Sequence, residues 1–522
     1  MEKPSHTISV DLTPNESWWG GAVSDAVQMP YTNSSNFERS LVGNTEGNQA
    51  QPLLISNLGR YVHSEHPFEF SVKNGRLELT GAEDLTLCTA GATLRDAYLA
   101  AQAKHFPPSG LLPDACLFKQ AQFNTWIELT YNHNQKDIEA YAQAIVSHGY
   151  TPGLLMIDDT WQEAYGVWRF HPGRFPDPRG MIERLHVLGF KVMLWLVPYV
   201  SPDSVPYREL ERSGGLILEE VGPTSAPPKR PKPALFRWWN GVSAALDLTH
   251  PKAHEWLSAE LKRLQGEYGI DGFKFDAGDA AAIAHHAVTG GLKFFQPSDG
   301  NDQSERFAKF GAAYPLNEYR SCWKAAGLPL AQRLKDKDHT WEALRTLIPS
   351  GLTQGLLGYP FTCPDMIGGG EYRSFEAASQ IDGELVVRSA QASALFPMMQ
   401  FSVAPWRVLS EEHQAYCLEA AKLHAELGDE IMELAQLSAR TGEPILRHLE
   451  YVFPHQGFAA ISDQFLLGEN ILVAPVLTSG ARQRDVVFPP GKWRNAKGEI
   501  FEGPGTQRVE APLGTLPWFR KI

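Results

Sequence analysis

Up to about residue 120 the chain alternates short apolar and polar runs, FEFSV and RLELT among them, separated by Gly, Asn and Pro. Period-two alternation puts one face of a strand on a core, so 1–120 is predicted to be an antiparallel β-domain. From about 121 the period changes. The amphipathic run DIEAYAQAIVSHG leads to the apolar PGLLMIDD, and MIERLHVLGF leads to KVMLWLVPYV. Helix and strand patterns in alternation predict βα units around a parallel sheet, over 121–440. In HPKAHEWLSAELKRLQGEYG one helical stripe carries Ala253, Trp256, Leu257, Leu261 and Leu264, with Gly266 and Gly269 to stop it and IDGFKFD as the next strand. The Pro-rich stretch 201–235, with SAPPKRPKP, and the stretch 285–317 are predicted to be long rim loops. Helical patterning returns in EEHQAYCLEAAKLHAELGDEIMELAQL, and 441–522 reverts to short strands, a C-terminal β-domain.

Composition narrows the function classes. The 522 residues are 43% hydrophobic and 20% charged, with a net charge of −13. An acidic surface does not suit nucleic acid or anionic membranes, and it points to a neutral or cationic small substrate. Five scattered cysteines form no C-x-x-C pair, so neither a disulfide framework nor a thiolate metal site is expected. The N-terminus lacks the apolar run of a signal peptide and there is no membrane-spanning apolar stretch, which leads to the expectation of a cytoplasmic protein. Seventeen histidines include the adjacent His285 and His286 but no H-E-x-x-H spacing, and no phosphate-binding glycine motif occurs. Neither a catalytic metal nor a nucleotide cofactor is expected. Fourteen tryptophans suit stacking on sugars, though most belong to cores.

The strand GFKFDAGD carries the first candidate chemistry. Lys274 and Asp276 point to one side and Phe273 and Phe275 to the other. If the Phe pair meets the helix layer, the Lys and Asp face the barrel mouth, where active sites of this fold lie. A structural salt bridge between Lys274 and Asp276 is the alternative. Glycoside cleavage with retention needs a second carboxyl about 5 to 5.5 Å away. Asp336, Asp338 and Asp365 are the downstream choices, and spacing alone does not decide among them.

Five segments taken together resemble glycoside hydrolase family 31 over residues 120–480: GFKFDAGD, the 333–341 loop, LGYPFTCPDMIGGG, ELVVRSAQASALFPMMQFS and DQFLLGENILVAPV. The resemblance implies an α/β fold: a (β/α)8 TIM barrel with an N-terminal β-sandwich over 1–120 and a C-terminal β-sandwich over 441–522. It also implies two Asp residues acting by double displacement. The family nucleophile falls on Asp276. The acid/base, five residues before a Trp, falls on Asp336 relative to Trp341; Lys335 and Lys337 replace the family's flanking Gly and Asn, which keeps Asp338 as the alternative. Arg333 is expected to bind a sugar hydroxyl or to hold the acid/base, with a plain salt bridge equally open. Asp365 is expected on the sugar side without a catalytic role.

Two features address the sugar. Where many family members place a His, this chain has Ser402 in FPMMQFSVAP, so a familiar glucose contact is missing. LLMIDDTW ends a strand with Asp158 and Asp159, and with Lys274 these look like the I-D-D-x-W and K-F-D elements of clan-related α-galactosidases. That likeness implies two carboxylates accepting from the 4- and 6-hydroxyls and a lysine donating to the ring. Strand alternation would turn only one of the two acids inward, and a helix cap is the alternative role. Trp195 is expected to stack on the sugar or in the core; Trp18 and Trp19 are expected in the β-domain core, with an aglycone contact as the alternative. Within the family the pattern is similar to bacterial relatives of the mammalian myogenesis-regulating glycosidase. The resulting expectation is an exo-acting retaining α-galactosidase acting on an α-linked oligosaccharide or glycoside. An α-glucosidase or α-xylosidase with the same machinery, a transglycosylase and a non-catalytic sugar-binding barrel are the alternatives.

Overall fold

The computed structural model describes residues 6–43, 46–220, 231–289, 291–377 and 380–522. Two antiparallel sheets form first. One is ordered His6–Asp11, Arg76–Gly81, Glu69–Lys73, Phe37–Ser40; the other Trp18–Ala22, Gln49–Ser56, Arg60–His63, Thr86–Thr89. Alternation governs them as expected: Phe70 and Val72 turn inward on one strand, Leu77 and Leu79 on its neighbour. Trp18 and Trp19 are buried there. The β-pattern missed the helix Leu94–His105, which closes this region; it is started by a Thr93 capping box and buries Leu94, Ala97, Tyr98 and Ala101 at helical spacing.

The parallel sheet then runs in chain order: β1 (Gln122–Asn124), α1 (Gln135–Ser147), β2 (Leu154–Ile157), α2 (Pro178–Val187), β3 (Lys191–Leu196), α3 (Pro251–Tyr268), β4 (Gly272–Phe275), α4 (Gly300–Gly311), β5 (Asn317–Tyr319), β6 (Gln332–Arg333), α5 (Leu347–Leu356), β7 (Thr362–Cys363), α6 (Gly383–Ser393), β8 (Gln400–Phe401) and α7 (Glu411–Glu426). From β1 to β7 each strand pairs in parallel with the next, and β8 pairs with β1, so only the β7–β8 seam lacks a ladder and the TIM barrel is nearly closed. On α3 Ala253, Leu257, Leu261 and Leu264 are buried; the helix runs through Gly266 and ends at Gly269, whose φ of 82° favours glycine.

Between β5 and β6 there is no barrel helix. Instead Cys322–Trp323 pairs with Gln49 and Ala50 of the N-terminal strand Gln49–Ser56. From that strand the Gln49 side-chain amide donates to the carbonyls of Arg320 and Arg333. The N-terminal sheet thereby clamps the two segments that leave β5 and β6.

The two predicted rim loops are more ordered than a loop. Stretch 201–235 contains the helix Val205–Ser213, capped by Ser204 and stopped by Gly214; 221–230, with most of SAPPKRPKP, lies outside the described residues. A hairpin follows, Leu235–Trp238 against Gly241–Ala245. Stretch 285–317 contains α4, whose polar sequence hid its inner face of Phe307, Ala308 and Gly311. The C-terminal strands form a six-stranded antiparallel sheet. One set of its side chains (Phe465, Leu467, Ile471, Val473) joins the main core, and Leu466, Leu472, Trp493 and Phe519 build a second. No helix among the described residues is long and apolar enough to cross a membrane.

Strand β4 runs so close to its neighbour that a Cβ at Gly272 would collide with the Leu316 carbonyl oxygen and side chain. Gly272→Ala is therefore expected to destabilise the protein by about 1–3 kcal/mol, measured by urea unfolding. A change below 0.5 kcal/mol would show that β4 has room to move.

Candidate active site

The C-terminal ends of the barrel strands surround a cavity of about 520 Å³. Asp158, Asp159, Trp195, Lys274, Asp276 and Asp336 all line it, six residues read from sequence as candidates. Their positions follow from the strands. Trp195 and Lys274 are register partners on β3 and β4, so they point the same way into the barrel mouth. The strand β2 ends at Ile157, which frees Asp158 and Asp159 from alternation and lets both reach the cavity.

Asp276 sits where β4 ends, its backbone N–H donating to the Leu196 carbonyl at 2.9 Å. Its Oδ1 accepts from Arg320 Nε at 2.9 Å and from the Ala277 N–H at 2.7 Å; its Oδ2 accepts from Trp195 Nε1 at 2.9 Å. Burial alone would raise the carboxyl, but the charges of Arg320, Lys274 and Arg333 and the Trp195 donor outweigh it and hold Asp276 far below the ordinary carboxylate range. The salt bridge considered between Lys274 and Asp276 is absent. Lys274 Nζ instead donates to Asp158 Oδ2 at 2.6 Å, a pair buried on both sides.

Asp159 accepts from the Thr160 N–H (2.6 Å), Gln162 Nε2 (3.1 Å), the Tyr165 hydroxyl (3.1 Å) and Asn240 Nδ2 (2.5 Å). Burial, and then the Asp158 charge, lift its carboxyl to about 6 against those donors. Trp195 contributes more than a ring: its indole N–H is committed to Asp276.

Asp336 lies on the segment after β6, with Arg333 NH1 donating to its Oδ1 at 2.6 Å. Asp338 is exposed and faces a separate small cavity beside Thr340 and Leu344. Arg333, expected to bind a sugar hydroxyl or to hold the acid/base, and Asp365, expected on the sugar side, do not line the main cavity. Both are buried, and the same Arg333 nitrogen that holds Asp336 reaches Asp365 Oδ1 at 3.1 Å. Asp365 spends its remaining valence on the N–H groups of Met366, Lys337 and Gly370, so it ties the Asp336 segment to the loop after β7. Ser402 is likewise turned away, accepting from the Ile127 N–H at 2.7 Å.

Sequence reasoning missed Arg320 and Asp279. Arg320 stands just past β5 and bridges Asp276 to Asp279, NH2 lying 2.9 Å from Asp279 Oδ2, with its guanidinium 5.2 Å from the Trp239 ring. A basic residue following a barrel strand is a signal that could have found it. Trp126, Tyr131 and Tyr372 meet edge to face at the rim, ring centroids 5.4 to 5.6 Å apart. They come from loops after β1 and β7, which no local periodicity connects.

A carboxylate held ionised, a second carboxyl facing the same cavity, and a floor of charged acceptors with one lysine are the arrangement of a glycoside-processing site. The comparisons agree with that class. The family model "Glycosyl hydrolases family 31 TIM-barrel domain" matches residues 116–431 and the "Glycosyl hydrolase family 31 C-terminal domain" matches 442–521. The chain belongs to glycoside hydrolase family 31.

Among its relatives, the myogenesis-regulating glycosidase of Mus musculus is 37% identical over 76% of this chain and 55% of its own length. Alpha-glucosidase 2 of Bacillus thermoamyloliquefaciens is 25% identical over 74% and 50%. The chain thus spans about half the length of the curated relatives it matches. Two solved structures share the fold: a Flavobacterium johnsoniae GH31 dextranase complexed with glucose (TM-score 0.85, 19% identity, 100% of this chain and 67% of that one) and a GH31 alpha-xylosidase from a soil metagenome complexed with xylose (TM-score 0.85, 22% identity, 99% and 79%).

Removing Arg320 leaves the buried Asp276 and the half-buried Asp279 without their shared cation. Arg320→Ala is expected to cost on the order of 3 kcal/mol in chemical denaturation, and Arg320→Lys to recover only part, because an ammonium cannot bridge two carboxylates as a guanidinium fork does. Full stability in the Ala variant would contradict that role.

Proposed function

We propose that the protein is an exo-acting retaining α-glycosidase whose preferred sugar is galactose. The observation that carries the reading is the convergence of Asp276 and Asp336 on one cavity whose floor holds Asp158, Asp159 and Lys274. In the first step an Asp276 oxygen attacks C1 of the bound sugar while Asp336 gives its proton to the glycosidic oxygen. The C1–O bond breaks, the aglycone leaves as an alcohol and a β-glycosyl ester remains on Asp276. In the second step Asp336 takes a proton from water as it attacks C1, releasing Asp276 and a sugar of the original α configuration. Arg320, Trp195 and the Ala277 N–H orient the attacking carboxylate, and Arg333 positions Asp336.

The sugar reading rests on the buried acids. A carboxylate taken from water is costly unless a donor reaches it. Asp158 and Asp159, presented side by side, suit a sugar whose 4- and 6-hydroxyls both donate to one wall. An axial 4-hydroxyl is the fit proposed. The relative of highest identity quoted above is a glycosidase by name, while more distant relatives are named α-glucosidase and α-xylosidase. One relative named isomaltosyltransferase makes transfer the competing reading; product analysis at high acceptor concentration separates transfer from hydrolysis.

Aryl α-galactoside should be hydrolysed with kcat/KM roughly 100-fold or more above the α-glucoside and α-xyloside. Equal rates on the three would sink the galactose assignment but leave the two-carboxylate mechanism standing. Asp276→Asn and Asp336→Asn should each lose most activity, with Asp338→Asn near wild type; azide should restore turnover to Asp276→Gly and yield the β-glycosyl azide. Unchanged hydrolysis by Asp276→Asn would refute the mechanism.

The pH dependence has a definite sign. Asp159 accepts most strongly from a sugar hydroxyl when ionised, and its carboxyl is raised to about 6. As pH falls through about 6 it gains a proton and loses an acceptor site, so galactoside kcat/KM should drop on that side. Asp276, held low, stays ionised throughout and contributes no limb there. A profile flat down to pH 4.5 would contradict the part given to Asp159.

A further inference from the structure

Away from the cavity, three side chains with metal-ligating atoms converge in the N-terminal sheet region. His63 is the last residue of the strand Arg60–His63, Glu65 follows two residues later, and His105 ends the helix Leu94–His105. Their ligand atoms all lie within 4.8 Å of one another, which no other group of His, Cys, Asp and Glu matches among the described residues. The two imidazoles are stacked, centroids 3.6 Å apart at 18°. His63 is 4% exposed, and His105 Nε2 is buried without a hydrogen-bond partner. Leaving a buried ring nitrogen unpaired is costly, and His105 is a member of this cluster of lone-pair donors.

We propose that His63, Glu65 and His105 form a zinc site that ties the helix Leu94–His105 to the strand Arg60–His63. Two neutral imidazoles and one carboxylate are a donor set of the borderline hardness that zinc accepts, and three protein ligands leave a fourth position for water. Lys324 is the competing charge, its Nζ 3.2 Å from Glu65 Oε2. It also lies 3.5 Å from Glu305 Oε2, so it has a second carboxylate to pair with when a cation takes Glu65. The ligand atoms must close by about an ångström to reach zinc-binding distances of roughly 2.0–2.2 Å. Side-chain rotation of the exposed Glu65 and of His105 at its helix end supplies that movement. None of these residues lines the main cavity, so the site is separate from the hydrolysis proposed above.

The test uses the whole chain freed of metal with EDTA and titrated with zinc chloride against a chromophoric chelator. Wild type should take up one equivalent with a rise in Tm that EDTA reverses. His105→Gln and His63→Gln should each lose that equivalent, and Glu65→Gln should bind at least about 10-fold more weakly. The Tm of His105→Gln in EDTA should match that of wild type in EDTA, which separates lost ligation from lost folding. If His63→Gln fails to fold, His105→Gln and Glu65→Gln decide. Absence of zinc uptake by wild type, or uptake unchanged in His105→Gln, overturns the proposal.

Discussion

The structure turns on how a TIM-barrel mouth keeps several carboxylates buried in one place. Asp158, Asp276, Glu318 and Asp365, with the half-buried Asp279 beside them, are concentrated around the ends of the central strands, where unpaired anions would repel one another and resist desolvation. Three cations resolve this: Lys274 takes Asp158, Arg320 takes Asp276 and Asp279, and Arg333 takes Asp365, Asp336 and the neighbourhood of Glu318. Each partnership also fixes a geometry. Because Lys274 is spent on Asp158, it does not neutralise the neighbouring Asp276 directly, and Asp276 is left to Arg320 and the Trp195 indole. One lone pair of a carboxylate so held is what the proposed attack on a sugar carbon requires.

Those cations are themselves held from outside the barrel. Where a helix would normally follow β5, the chain pairs with the N-terminal sheet, and Gln49 binds the carbonyls of Arg320 and Arg333. The Arg320 guanidinium also donates to the Gly47 carbonyl at 2.7 Å. The N-terminal region is therefore part of the active-site scaffold, and its packing reaches the candidate chemistry through two backbone carbonyls and one guanidinium.

Periodicity made the barrel legible because β2, β3 and β4 are buried on both faces and α1 to α3 carry clean apolar stripes. It failed at α4 and at the helix Leu94–His105, whose buried faces are short or built from Ala and Tyr, and at the 201–235 rim. Strand parity placed Lys274 and Asp276 correctly, and the end of β2 explains why Asp158 and Asp159 both reach the cavity. Sequence could not show which cation serves which acid. Lys274 lies two residues from Asp276 yet binds Asp158 across the sheet, whereas Arg320, 44 positions on from Asp276, is its partner. Arg333 was open between a sugar hydroxyl and the acid/base, and its NH1 reaches Asp336 and Asp365; Asp365 accepts in addition from the N–H groups of Met366, Lys337 and Gly370. Such pairings are decided by tertiary geometry, which spacing does not encode.

The central claim is that Asp276 attacks the sugar and carries it covalently. The most direct measurement is to incubate the protein with a 5-fluoro-α-galactosyl fluoride, which slows the second step, then digest and locate the label by mass spectrometry. The account predicts one sugar per chain, attached to the peptide containing GFKFDAGD at Asp276 and released on standing with regain of activity. A label on another carboxylate, or turnover of the reagent with no covalent species at any time, would contradict it.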